Sequence, residues 1–145
     1  MIVDVRGERG GSASVEAAVL AVVFGLLIAF AIAGGRLVAA EAATDHAARS
    51  AARLASLQRD AATATTVAYD AAALTLAEQG LRCTSVDVAV DTSGFARPLG
   101  TAASVNATVR CTISWADLGL PGAPGTRTVD STSTSPLDTW RERIR

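Results

Sequence analysis

This sequence has no lysine, one histidine, two cysteines and one methionine, and aromatic residues make up only 4% of it. Each shortage excludes something. A zinc site takes about four Cys or His ligands, and Cys83, Cys111 and His46 do not reach that number. Neither a metal nor another cofactor is expected. His46 stands among alanines, with no nucleophile or orienting acid in a recognisable arrangement around it, so no enzyme is expected either. The phosphate-cradling pattern GxxxxGK[ST] is missing, and Gly10-Gly11 and Gly34-Gly35 are bare pairs. A formal net charge of −1 provides no long-range field to steer the chain to nucleic acid. Large side chains are scarce although half the residues are hydrophobic, because alanine and valine supply most of the apolar count. A soluble core built from them is thin and needs support from a disulfide, an oligomer or a membrane.

Against these shortages stands one long apolar run. Residues 17–35, AAVLAVVFGLLIAFAIAGG, carry no charge. As a helix they would extend about 28 Å, close to the hydrocarbon thickness of a bilayer. Apolar residues surround the axis without a polar stripe, so this is not a surface helix. The 145-residue chain suits one domain plus such an anchor, and the remainder is too short and alanine-rich to enclose the run. Three fates compete. A secretory signal would be removed after the weak A-x-A at Ala31-Ile32-Ala33. A plain anchor would stay whole. The third depends on what precedes the run.

That approach reads RGERGGSASVEAAVL, with Glu16 fifth counting from Ser12. An acid at the edge of a spanning helix is costly and asks for a partner. Residues 6–11 are charged and glycine-rich, too flexible to continue the helix. The pattern resembles a type IV prepilin processing site, in which a membrane-embedded peptidase cuts after the glycine and leaves the helix attached. The resemblance implies cleavage between Gly11 and Ser12. The α-amino group so freed on Ser12 is cationic at neutral pH, and in a low-dielectric filament core it gains from a neighbouring subunit's Glu16.

The wider stretch is similar to the TadE-like family, minor pseudopilins of the tight-adherence (Flp-type) pilus system. The resemblance rests on Gly11 to Glu16, on Gly35-Arg36, on the AAR-x-AAR stretch from Ala47 to Arg53, and on the tail TSPLDTWRERIR. Departures are Ala17, where many members have an aromatic residue, and the lack of any proline before Pro98. The missing proline implies a straighter helix. The resemblance implies pilin and pseudopilin subunits, a prepilin peptidase and an inner-membrane assembly platform as partners, besides membrane lipid.

The division expected is a cytoplasmic leader at 1–11, a transmembrane and extended helix at 12–60, and an extracytoplasmic α+β domain at 61–145. Arg6 and Arg9 precede the run and Arg36 follows it, so charge alone orients the chain weakly. Cys83 and Cys111 decide for an outside domain, as a disulfide of an oxidising compartment. Leu37, Ala40, Thr44, Ala47, Ala51 and Leu54 form one helical stripe, and Asp45 and Arg49 form a favourably oriented i, i+4 pair. The helix is expected to reach Leu57, with Gly34-Gly35 as its weak joint. A second helix is expected from Ala62 to Gln79, closed by Gly80, with Val67, Ala71 and Leu74 on its apolar face. Alternation at 86–90 and 105–113 predicts two strands around the loop TSGFARPLGTAA, and 126–133 a weaker third. The fold class is therefore α+β, a small antiparallel sheet of about three strands on helices with one disulfide. Trp115 and Trp140 are candidates for core cover or subunit contact. The function expected is pilus assembly in the cell membrane, with incorporation into the pilus left open. The alternative is an anchored or secreted binding domain with no pilus role.

Overall fold

The computed structural model describes residues 10–140 and Glu142, with side chains from Ser14 onward. Arg6 and Arg9 of the leader, and the tail arginines Arg141, Arg143 and Arg145, lie outside the described residues. The order is helix α1 (Gly10–Ser56), helix α2 (Ala61–Glu78), strand β1 (Ser85–Asp91), a short 3-10 helix (Ser93–Ala96), strand β2 (Ser104–Ser114) and strand β3 (Thr126–Pro136). The α+β architecture, with one disulfide, is the one expected.

Helix α1 runs unbroken for 47 residues, about 70 Å at 1.5 Å per residue. Gly34-Gly35 does not interrupt it, because in a long helix each added residue gains a hydrogen bond for only two dihedrals fixed. The helix also starts at Gly10, so the last two residues of the expected leader are helical backbone rather than a flexible approach. The same cooperativity carries the helix back over the glycines, whose cost is small beside that of breaking a turn.

A four-residue link then reverses the chain. Asp60 caps α2, its carboxylate accepting from the Thr63 N–H at 2.8 Å, which satisfies a backbone donor that no helical carbonyl reaches. That hydrogen bond lowers the Asp60 pKa from its ordinary value. At the other end Gly80 takes φ 69°, and Leu81 N–H reaches Leu76 O at 3.0 Å while Gly80 N–H reaches Ala77 O at 2.9 Å. This is a Schellman closure, available to glycine because it has no Cβ to clash.

The two helices meet through alanine. Ala47, Ala48, Ala51, Ala52 and Ala55 of α1 pack in one buried cluster with Ala64, Ala68 and Ala72 of α2. The α2 face differs from the expected one: Ala64, Ala68, Ala71, Ala72, Thr75 and Leu76 are buried, while Leu74 is 61% exposed and Val67 only half-buried. Closely approaching helices select their smallest stripe, and the larger residues are left at its edges. Leu54 of α1 is exposed for the same reason, although the rest of its expected stripe is buried or half-buried.

The sheet is antiparallel in the order β1-β2-β3. β2 is its central strand, with Val105, Ala107, Val109, Cys111 and Ile113 buried against the helices. β3 extends to Pro136, three residues past the expected end, with only Val129 fully buried along it. Its inward positions are Ser131, Ser133 and Ser135. These are small enough for α1 to cross them, and Ser56 and Ser135 hydroxyls meet at 2.9 Å. Ser131 donates to Asp45 at 3.1 Å, while Asp45 also pairs with Arg49 at 2.5 Å. The outer face has cross-strand threonine pairs, Thr108 with Thr132 at 2.8 Å and Thr112 with Thr128 at 3.2 Å, a pairing that stabilises sheets.

Two further findings refine the loops. TSGFARPLGTAA is not a plain hairpin loop: its 3-10 helix brings Phe95 into the core beside Leu137. The tail motif is thus anchored by Leu137, whose N–H reaches Ala103 O at 2.9 Å. Cys83 lies just ahead of β1 rather than within it, and is bonded to Cys111 of β2.

Candidate assembly surface on the N-terminal helix

From Leu37 onward α1 has one side on the domain, but from Val15 to Ile28 no described residue covers it. The large apolar side chains from Val15 to Phe30 are between 46 and 67% exposed. The most apolar 18-residue window of the helix has mean hydropathy 2.7, and none of it is buried. Exposure of about ten such side chains in water would forgo about 1.5–3 kcal/mol each. A helix apolar on every side, with no protein cover, needs lipid or other apolar helices around it.

Charge brackets this surface. Glu16 is exposed at one end and Arg36 at the other; the 20 intervening steps span about 30 Å, one hydrocarbon thickness. Glu16 lies one helical turn beyond Ser12, so the two positions share a face of α1. The Gly11–Ser12 peptide falls in the first turn of the helix. Gly25, Gly34 and Gly35 have open space around them and form flat notches where a second helix could approach closely.

At Arg36 the helix enters the domain. The guanidinium donates to the backbone oxygen of Asp117 at 3.1 Å. Above it Leu37 and Ala40 pack with Ile113, Leu118, Val129 and the Cys83–Cys111 bridge. The disulfide thus closes the domain at its helix-proximal end. The sequence marks Arg36 only as the first charge after the uncharged run, and the contact with Asp117 depends on the β2–β3 connection returning to the helix.

His46 is exposed on α1. Among the described residues no three His, Cys, Asp or Glu side chains come together to hold a metal ion. Trp115 is half-buried against the cluster around Cys111, whereas Trp140 is 83% exposed.

Residues 11–53 match the family model described as TadE-like protein. The N-terminal segment is similar to that family. The matched stretch begins at Gly11, includes Glu16 and the whole exposed apolar helix, and ends at Arg53 among the alanines that hold α2. Neither the curated proteins nor the solved structures gave a match.

Proposed function

We propose that this protein is a pseudopilin-like component of tight-adherence pilus assembly, cut between Gly11 and Ser12 and held in the cell membrane by α1. The observation that carries the reading is the bare apolar half of α1, uncharged from Ala17 to Gly35, with its large side chains from Val15 to Phe30 exposed. The TadE-like match over this helix supports it. In this reading the α+β domain stands outside, where an oxidising compartment maintains Cys83–Cys111. Lipid covers the helix before assembly, and neighbouring pilin helices replace lipid afterwards.

Glu16 gives the reading a sharp chemical content. A carboxylate at the edge of the hydrocarbon is disfavoured, by less than the roughly 2.5–3.5 kcal/mol that applies at the helix centre, so its removal should ease insertion. The same removal strips the Ser12 α-amino group of an adjacent subunit of its counter-charge. Glu16→Ala should therefore insert and be cut, yet fail to co-purify with pilin subunits from membranes. Glu16→Asp, with a shorter arm, should be partly impaired. Normal recovery of partners with Glu16→Ala would rule out the pairing. The mature N-terminus gives a second check: a start at Ser12 is expected, and an intact Met1 would indicate a plain anchor.

A further inference from the structure

The connection between β2 and β3 returns to the helix at the level where the apolar run ends. We propose that this loop is a second lipid contact, seated at the boundary between headgroups and acyl chains; the proposal rests on α1 spanning the bilayer. A Cβ built on Gly119 would lie 3.6 Å from Ile32 Cγ2 and 3.5 Å from Arg36 Nη1. Ile32 is one turn deeper along α1 than Arg36, about 6 Å, within the 5–10 Å depth at which interfacial elements settle. The loop is therefore set beside the last turn of the apolar run, not above it.

Its sequence and build fit that place. Residues 118–125, LGLPGAPG, carry no charge and no polar side chain. Their own backbone groups are partly satisfied locally: Leu120 N–H bonds to Trp115 O at 3.0 Å and Ala123 N–H to Leu120 O at 3.1 Å. Gly119 and Gly122, at φ 96° and 83°, make the two reversals possible. Pro121 and Pro124 are exposed and offer no N–H that lipid would leave unpaired. Leu118 is buried with Ala40 and Ile113, tying the loop to the core. Polar groups adjoin the root of the loop. Ser114 and Asp117 bond to each other at 2.5 Å, Arg36 joins Asp117 O, and a neighbouring groove has Arg36, Asp117 and Arg82 on its wall. An uncharged tip beside arginine and aspartate has the composition of a membrane interface. With helix and loop both in contact, the domain would be held in one orientation to the lipid surface instead of turning about α1.

The test places tryptophan as a depth probe in the full chain. Trp115 and Trp140 are replaced by Phe, and Pro121→Trp is added. The chain is reconstituted in vesicles of phosphatidylcholine and phosphatidylglycerol whose acyl chains carry bromine at a shallow or a deep position. Ile28→Trp reports on the span, and Leu99→Trp on the opposite end of the sheet. Where Pro121→Trp fails to form the Cys83–Cys111 bridge, Pro124→Trp replaces it. Shallow bromine should quench the loop probe several-fold more than the Leu99 probe, and deep bromine should quench Ile28→Trp most. A loop probe as silent as the one at Leu99, with Ile28→Trp still quenched, overturns the loop contact alone. A silent Ile28→Trp overturns the spanning reading, and the loop contact with it.

Discussion

Breaking the Cys83–Cys111 bridge should cost this domain more than any other single covalent change. The bridge spans a sequence separation of 28, for which the chain-entropy relation gives about 3.6 kcal/mol at 25 °C. The domain has little with which to offset that loss. Its helix interface is built from alanines, and among the described residues the largest side chains with almost no exposure are Leu76, Ile113, Val105, Val109, Thr44 and Cys111. For a domain of this size about 1 kcal/mol corresponds to roughly 4–8 °C in Tm, so the expected drop is on the order of 15 °C or more. Cys83→Ala with Cys111→Ala, in the full chain in detergent micelles, should show it by thermal unfolding followed through tryptophan fluorescence. The wild-type chain under reductant should move in the same direction, with a further cost from two thiols at a site packed for a bridge. An unchanged Tm in the double variant would refute the assignment of this stability to the bridge, and would require the alanine packing to hold the domain alone.

Three more outcomes are expected. Gly11→Leu should leave full-length precursor in the membrane of a strain with a prepilin peptidase, since a side chain obstructs a narrow cut site; unchanged maturation on an immunoblot would end the processing reading. Ala51→Leu, placed in the tight contact between α1 and α2, should destabilise by about 1–3 kcal/mol through overpacking, whereas Ala62→Leu on the exposed side of α2 should be near neutral in the same melts. Asp60 has a lowered pKa in the folded chain because the Thr63 N–H donates to its carboxylate, so its capping contribution is present above the unfolded carboxylate value and lost as pH falls through the folded one. Asp60→Asn, which keeps an N-cap acceptor, should remove that part of the acid dependence, read as Tm against pH below about 5.

Much of this molecule follows from local sequence alone. Residues 17–35 carry no charge and can only be a helix in an apolar medium, and the unbroken absence of proline before Pro98 lets that helix continue to Ser56. Alternation marked β1 and β2, and two cysteines with no other partners marked the bridge, because both signals depend on neighbours close in sequence or on simple counting. The TadE-like stretch was legible for the same reason, as its motif residues lie within one helix.

Tertiary structure decided what depends on distance between elements. Val67 and Leu74 looked like the buried face of α2, yet α1 offers alanines, and close approach buries Ala64, Ala68 and Ala72 instead. β3 was expected as the weakest strand, and its serine-lined inner face extends to Pro136 because α1 lies over it and Ser56 and Asp45 bond two of its hydroxyls. Nothing in LGLPGAPG announced that it would lie beside Ile32, since that placement requires β2 to return along the helix and Arg36 to grip Asp117. Hydropathy period is a property of one segment, whereas the choice of which face packs, and against what, belongs to the pair.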